Sequence, residues 1–357
     1  MDLSKFFSSK YRSLEAYTPG EQPRDQQYVK LNTNESPYPP SPAVVRAAES
    51  EAKRLQLYSD PESTELTRAV AEHLGVEPEN VLMTNGSDEI LNFAFMAWGD
   101  KDHPFIFPDI TYGFYPVFAE VNHVPYREVP LQADFSIRAK DFCGVSGNVV
   151  IANPNAPTGT LLPVAEIEEI VKSNPEHVVV IDEAYIDFGG ESCIPLIKKY
   201  DNLLVTQTFS KSRSLAGGRL GFGVGAASLI QDLNTLKYST NPYNVNRMTA
   251  ACGVAAIRDS VYYQTNAAAI QACRAYTALA LRQRGFTVTE SMANFLFIRA
   301  PKCSGEALYR GLKERGVLIR HWQKARIRDW CRVTIGTKEQ MDRFLEAIDD
   351  LMISSEG

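Results

Sequence analysis

The sequence predicts an α/β fold: a large domain with a mostly parallel central sheet flanked by helices, and a smaller α+β domain behind it. Three observations carry this. From Asn80 onward, short apolar runs of strand length alternate with helical stretches, the pattern of a parallel sheet. Most of these runs end in distinctive polar residues, as strands do when they deliver groups to one sheet edge. The 357 residues, 44% hydrophobic and 22% charged, are enough for two soluble cores. The expected division is an arm over 1–30, a large domain over 31–260 and a small domain over 261–357.

In chain order, the arm is polar, with a turn at Pro19-Gly20. Leu31-Asn32-Thr33-Asn34-Glu35-Ser36-Pro37 and the prolines up to Pro42 read as an ordered loop. A helix is expected from Ala43 to Leu55, broken at Leu57-Tyr58-Ser59-Asp60-Pro61. A second runs from Ser63 to Leu74 and is capped by Gly75. Val81-Leu82-Met83 is the first strand, and Thr84 to Glu89 turns into a helix reaching Trp98. Strands follow at Phe105–Phe107, Val149–Ile151, Val178–Ile181 and from Leu203 to about Thr208. Gly221 to Ala226 matches a dinucleotide-binding spacing, but Leu220–Val224 itself reads as a strand. No acidic residue stands about twenty positions on, so the glycines are read as letting a strand pass close to a ligand or neighbour. Tyr238 to Asn244 reads as a loop, and Arg247 to about Arg284 as one alanine-rich helical stretch. Strands at Phe286–Glu290, Asn294–Arg299, Val317–His321 and Arg332–Ile335, with helices at Gly305–Arg315 and Lys338–Ile353, complete the small domain.

Composition excludes several classes. A net charge of -6 argues against a general nucleic-acid binder, whose footprint is a basic face. No long uncharged apolar run could span a membrane, and Met1 to Phe7 lacks the apolar core of a secretion signal. Six cysteines (Cys143, Cys193, Cys252, Cys273, Cys303 and Cys331) lie far apart with no Cys-x-x-Cys pair. That scatter reads as reduced thiols in a cytoplasm, with neither a disulfide framework nor a metal site.

Chemistry concentrates where predicted strands end. After Leu203 to Thr208 come Ser210, Lys211 and, beyond two glycines, Arg219. A lysine at that edge can be partly desolvated and act as a nucleophile toward a carbonyl compound. Thr208, Ser210 and Arg219 are hydroxyl donors and a forked cation suited to a phosphate ester. Together they suggest a Schiff base with pyridoxal phosphate (PLP), although a solvated surface lysine is the commoner use of such a segment. The Gly86-Ser87-Asp88 turn leaves free amides at a helix start and could hold an anion, or could be a plain helix cap. Asp182 follows four apolar residues, so its carboxylate should be partly buried and need a cationic partner. A protonated pyridine nitrogen supplies one, and a turn-capping aspartate is the alternative. Tyr112, Asn155 and Tyr185 also follow strands. Arg320 and Arg332 sit at strand ends in reach of an anionic substrate, or in surface ion pairs.

Taken together, Asn153 to Gly159, Asp182-Glu183-Ala184-Tyr185, Ser210-Lys211 and Arg219 resemble the fold-type I PLP-dependent aminotransferases. The likeness narrows to the histidinol-phosphate aminotransferase family through Leu31-Asn32-Thr33-Asn34-Glu35, Tyr58 before Asp60-Pro61, and Gly86-Ser87-Asp88-Glu89. Tyr112-Gly113, Leu215-Ala216-Gly217-Gly218-Arg219 and Arg332-Val333-Thr334-Ile335-Gly336-Thr337 extend it. The resemblance implies that Lys211 carries the cofactor and shuttles a proton, that Asp182 holds the ring nitrogen protonated, and that Tyr185 bonds the ring hydroxyl. It implies a ring stacked by Tyr112, and a phosphate bound by the Gly86, Ser87 and Asp88 amides, Thr208, Ser210, Arg219 and Tyr58 of a second subunit, hence a homodimer. Tyr17, Tyr243, Asn294, Arg320 and Arg332 are implied to shape the pocket for a phosphorylated amine and a 2-oxo acid. A threonine-phosphate decarboxylase or an aromatic amino acid aminotransferase would share most of these motifs. One departure stands out: the family's ring-binding asparagine usually precedes Pro-Thr-Gly directly, where this chain has Ala156. Asn155, one residue earlier, is expected to supply that amide.

Overall fold

The computed structural model describes residues 4–354; Met1-Asp2-Leu3, which open the stretch read for a secretion signal, and 355–357 lie outside it. A short strand β1 (Val29–Lys30) precedes helices α1 (Pro42–Ala52) and α2 (Thr64–Leu74). The main body then alternates β2 (Val81–Thr84), α3 (Ser87–Trp98), β3 (Phe105–Pro108), α4 (Phe114–Val121), β4 (Tyr126–Val129), β5 (Asn148–Ala152) and α5 (Val164–Ser173). It continues with β6 (Val179–Asp182), β7 (Leu203–Thr208), β8 (Gly221–Gly225), α6 (Ala227–Thr240), α7 (Arg247–Arg258) and α8 (Ser260–Gln283). The remainder is β9 (Thr287–Val288), β10 (Phe295–Arg299), α9 (Gly305–Glu314), β11 (Val317–Leu318), β12 (Arg320–His321), β13 (Trp330–Thr334) and α10 (Lys338–Ser354).

Seven strands form one sheet in the order β2-β8-β7-β6-β5-β3-β4. Only β8 runs against its neighbours; the other pairings are parallel. The apolar runs explain why this sheet is covered on both faces. Val149, Ile151, Val179, Ile181, Leu203 and Val205 pack into one core cluster, and the intervening Val150, Val180 and Leu204 into another. Successive side chains of a strand point to opposite faces, so an uninterrupted apolar run requires cover on both. Each such fully buried side chain contributes on the order of 1.5–3 kcal/mol. A third cluster gathers around the antiparallel sheet β12-β13-β10-β9 and includes Leu31 and Phe188 from earlier in the chain.

Three local expectations differ from the structure, and one edge strand had no counterpart among them. The loop expected at Tyr238 to Asn244 begins as helix, because α6 runs to Thr240 with Leu229, Ile230, Leu233 and Lys237 buried at helical spacing. The helical stretch expected from Arg247 to Arg284 is two helices parted at Asp259: α7 packs against α1 and α2, whereas α8 packs against α10, β9 and β10. The single strand expected over Val317–His321 is split. β11 pairs with β1, while β12 turns away to pair with β13. Strand β4 was not foreseen, since three of its four residues are exposed at the sheet edge and give no apolar signal.

The reading of the glycine strand agrees with the geometry. A side chain on Gly221 would lie 2.5 Å from the backbone of both Gly86 and Ser87, so β8 passes directly against the turn that opens α3.

Candidate active site

The carboxyl ends of β6 and β7 and the first turn of α3 open onto one cavity of about 370 Å³. It is lined by Ser87, Asp88, Tyr112, Asp182, Tyr185, Thr208, Ser210, Lys211 and Arg219 among others. A second cavity of about 280 Å³ adjoins it, lined by Tyr17, Asn34, Tyr112, Tyr185, Lys211, Arg320, Trp322, Lys324 and Arg332 among others. Thr33, Tyr112, Ala156, Tyr185 and Lys211 belong to both. Lys211 thus stands at the junction, its Nζ 3.4 Å from the Thr33 carbonyl oxygen and 5.6 Å from the centre of the Tyr185 ring.

The first cavity is electrostatically specialised at its two ends. At one end Asp182 is 4% exposed; its Oδ2 accepts from the Tyr115 hydroxyl at 3.0 Å and its Oδ1 from the Ala184 N–H at 3.2 Å. Burial outweighs those two bonds and pushes its carboxyl up to about 7. Such a group fits a ligand that brings its own cation, since an opposite charge would return it to the ionised form. At the other end, Arg219 donates to Asp88 Oδ2 at 3.0 Å and Tyr112 donates to Asp88 Oδ1 at 2.7 Å. Burial and that carboxylate hold Tyr112 well above the usual phenol range, so it remains an O–H donor. Gly86 has φ +76°, and a Cβ there would lie 2.8 Å from Arg219 Nη2; this turn must be glycine for the arginine to reach it. The Thr208 hydroxyl donates to Ser210 Oγ at 3.0 Å, which keeps both hydroxyls at the strand end.

The second cavity carries the substrate-side candidates. Arg332 donates from Nη2 to the Asn32 carbonyl at 3.0 Å, while its sheltered Nε has no hydrogen-bond partner. Burial holds its guanidinium below the usual arginine value. Arg320 donates to the Thr18 and Pro19 carbonyls at 2.8 and 3.0 Å, bringing the arm over the cavity mouth. Tyr17 follows on that arm, packed 4.2 Å from the Phe114 ring.

Four candidates are placed otherwise. Asn155 is fully buried, and both of its amide hydrogens are committed, to the Ile110 carbonyl and to Thr158 Oγ1, each at 2.9 Å. Its oxygen accepts from the Thr111 hydroxyl at 2.8 Å. Nothing remains for a ring oxygen, and Ala156, not Asn155, faces both cavities; the expectation for Asn155 is therefore corrected. Asn294 lines neither cavity and instead donates to the Asn34 carbonyl at 3.0 Å. Tyr58 and Tyr243 also lie outside both; they stack on each other at 4.7 Å, with Tyr58 80% exposed. Conversely, sequence reasoning missed Asn34, which donates to the Tyr185 hydroxyl at 2.9 Å. It also missed Tyr115, which looks like an ordinary buried helix residue, and Trp322. Behind the site, Asp187 and Arg213 form an ion pair at 2.9 Å, each two residues beyond Tyr185 and Lys211.

Comparison with known proteins accords with this geometry. The Aminotransferase class I and II family matches residues 26–348. The chain is 47% identical over 348 residues to a histidinol-phosphate aminotransferase of Brachyspira hyodysenteriae, covering 97% of this chain and 98% of that protein. A protein of the same name from Clostridium acetobutylicum is 45% identical over 349 residues, covering 98% and 99%. Among solved structures, the fold matches histidinol-phosphate aminotransferase from Sinorhizobium meliloti in complex with pyridoxal-5'-phosphate. The TM-score is 0.87 at 22% identity, covering 99% of each chain. Aspartate aminotransferase from Thermotoga maritima matches with a TM-score of 0.83 at 20% identity, covering 92% of each. Sequence likeness and architecture agree from end to end, and the chain belongs to the class I and II aminotransferase family.

Proposed function

We propose that this protein is a PLP-dependent aminotransferase that moves the amino group between L-histidinol phosphate and 2-oxoglutarate. The observation that carries the reading is the pair of cavities meeting at Lys211. One is built for a phosphorylated ligand with a cationic ring, and the other places two arginines beside it. Relatives 45–47% identical over nearly their whole length, named for that activity, support the substrate.

The residues fit PLP. The carboxylate of Asp182 would pair with the ring nitrogen, Tyr112 would cover a ring face, and Tyr185, fixed by Asn34, would donate to the ring oxygen. The α3 amides at Ser87 and Asp88, with Thr208, Ser210 and Arg219, would hold the phosphate. PLP, when bound, supplies an electron sink for the charge left at the substrate carbon. The remaining work belongs to side chains of this protein. Lys211 Nζ would anchor the cofactor and, once displaced by the substrate amine, would take the proton from the amino-bearing carbon and hand it on to the cofactor, the reverse occurring with the second substrate. Asp182, ionised by its new partner, keeps the ring nitrogen protonated. Arg320 and Arg332 hold the substrate's phosphate or carboxylate so that this carbon faces Lys211.

The exposed apolar run of Leu55, Leu57 and Tyr58, with Tyr243 stacked upon it, would be the face met by a second copy, whose cofactor cavity Tyr58 would enter. No helix among the described residues is long and apolar enough to cross a membrane. The test of the reading is a half-reaction: the purified, cofactor-loaded protein is mixed with L-histidinol phosphate, threonine phosphate or phenylalanine in turn. Loss of the cofactor's visible absorbance with the first at the lowest concentration is expected. Release of carbon dioxide from threonine phosphate would replace this reading with a decarboxylase.

A further inference from the structure

Arg320 on β12 and Arg332 on β13 stand directly opposite each other in an antiparallel pair. Like charges in that position repel. Both guanidiniums donate to backbone carbonyls, of Thr18, Pro19 and Asn32, rather than to carboxylates. What they share is an indole. Trp322 lies two residues beyond Arg320, and its ring centre is 5.5 Å from the Arg320 guanidinium carbon and 5.4 Å from that of Arg332. Both distances fall inside the range of attraction between a cation and an aromatic face. The chain that follows the indole is anchored. Just beyond it, Lys324 donates to the Asp109 carbonyl, and Arg326 pairs with the Asp109 carboxylate and donates to the Leu131 carbonyl at 2.9 Å.

We infer that Trp322 is a specificity-determining positioning residue. Its indole holds the two guanidiniums at one fixed spacing, so that a single site accepts the phosphate of one substrate and the carboxylate of the other. The inference rests on the reading that these arginines receive anions. A carboxylate and a phosphate differ in the number and spread of their oxygens, and a forked guanidinium can meet either. What both need is that two like charges be kept close before the anion arrives. A shared π-face within reach of both does this without neutralising either, whereas a carboxylate partner would compete with the substrate.

The experiment measures binding of inorganic phosphate and of succinate to the cofactor-loaded protein by calorimetry, in the unaltered chain and in Trp322→Phe and Trp322→Leu. Removing the π-face in Trp322→Leu should weaken both anions roughly tenfold, whereas Trp322→Phe should stay within about threefold. In turnover the KM for both substrates should rise in Trp322→Leu while kcat changes far less. If leucine upsets the fold, Trp322→Met removes the π-face while retaining a long side chain and should show the same loss. Binding of both anions within about twofold of the unaltered protein in the leucine or methionine variant would overturn the inference. So would a phenylalanine variant as weak as the leucine one. Because the readout is anion binding without turnover, it can fail separately from the amino-transfer reading.

Discussion

The two cavities that meet at Lys211 are built in opposite ways. The first draws its groups from contiguous strand ends and one helix start of a single sheet, and they are already tied to one another: Asp88 to Arg219 and Tyr112, Thr208 to Ser210, Asp182 to Tyr115. The second is assembled from segments some three hundred residues apart, the arm around Tyr17 to Asn34 and the strands around Arg320 to Arg332, joined largely through backbone carbonyls. The first is a rigid seat that one ligand can occupy permanently. The second would admit two different anions in turn, because its two arginines stand paired across β12 and β13 with no carboxylate among the described residues bonded to either. The difference teaches where precision is invested: in charges tied to one another on one side, in two cations left open to an anion on the other.

The sharpest way to break this comparison is at the junction. Lys211→Ala should reduce turnover by roughly 10⁴-fold, the upper range for removal of a positioned acid–base group. Borohydride treatment of the unaltered protein should fix PLP on the peptide containing Lys211. Cofactor found on another lysine would end the assignment of both cavities.

Next in size, Asp182→Asn keeps the shape of the rigid seat but removes its charge. Turnover should fall roughly 10²–10³-fold, the scale of one electrostatic group aimed at developing charge. Near-normal turnover would make Asp182 structural.

The same residue predicts a pH effect on the cofactor-free protein. Its folded value of about 7 lies above the ordinary 3.8, so the folded state binds the proton more tightly. The resulting stability is fully present below about pH 4 and is lost as pH rises to about 7. The ceiling on this loss is about 4 kcal/mol, at about 1.4 kcal/mol per pH unit. Thermal unfolding of the cofactor-free protein and its Asp182→Asn variant, compared between these pH values, isolates the effect. Parallel curves would show that Asp182 does not titrate there. Loading the cofactor should abolish the difference, because its cation returns the carboxyl to the ionised form.

In the second cavity, Arg332→Lys keeps charge but loses the fork. KM should rise roughly tenfold to a hundredfold for both substrates, the scale of one charged hydrogen bond, with less change in kcat. A rise for one substrate only would mean that the two anions do not share the site.

The smallest functional effect is expected at Asn155. Its three side-chain bonds brace the loop between Ile110 and Thr158. Asn155→Ala should therefore cost about 2–3 kcal/mol of stability while leaving the pH titration of the bound cofactor's absorbance unmoved. A moved titration would return Asn155 to the ring.

Much of the rigid seat was legible because its signals are local. An apolar run followed at once by Asp182, or by Ser210-Lys211, states both the strand and the group at its end, and a parallel sheet aligns those ends. Asn155 was misread for the same reason. A polar residue at a strand end resembles a ligand, and only the fold shows that Ile110 and Thr158 already occupy its hydrogens. Tyr115 was invisible from the other direction, since its pairing with Asp182 spans 67 residues.

The sequence by itself determined the strand and helix alternation, the polar groups at the strand ends and the chemistry those groups can perform. These follow from periodicity and residue type, which act over a few positions. Tertiary structure alone decided that β8 runs against its neighbours, that the arm reaches Arg320, and that one indole lies within reach of both Arg320 and Arg332. Each depends on which distant segments share one surface. That outcome is settled by packing and by the satisfaction of buried polar groups across the whole molecule, which no short window of residues encodes.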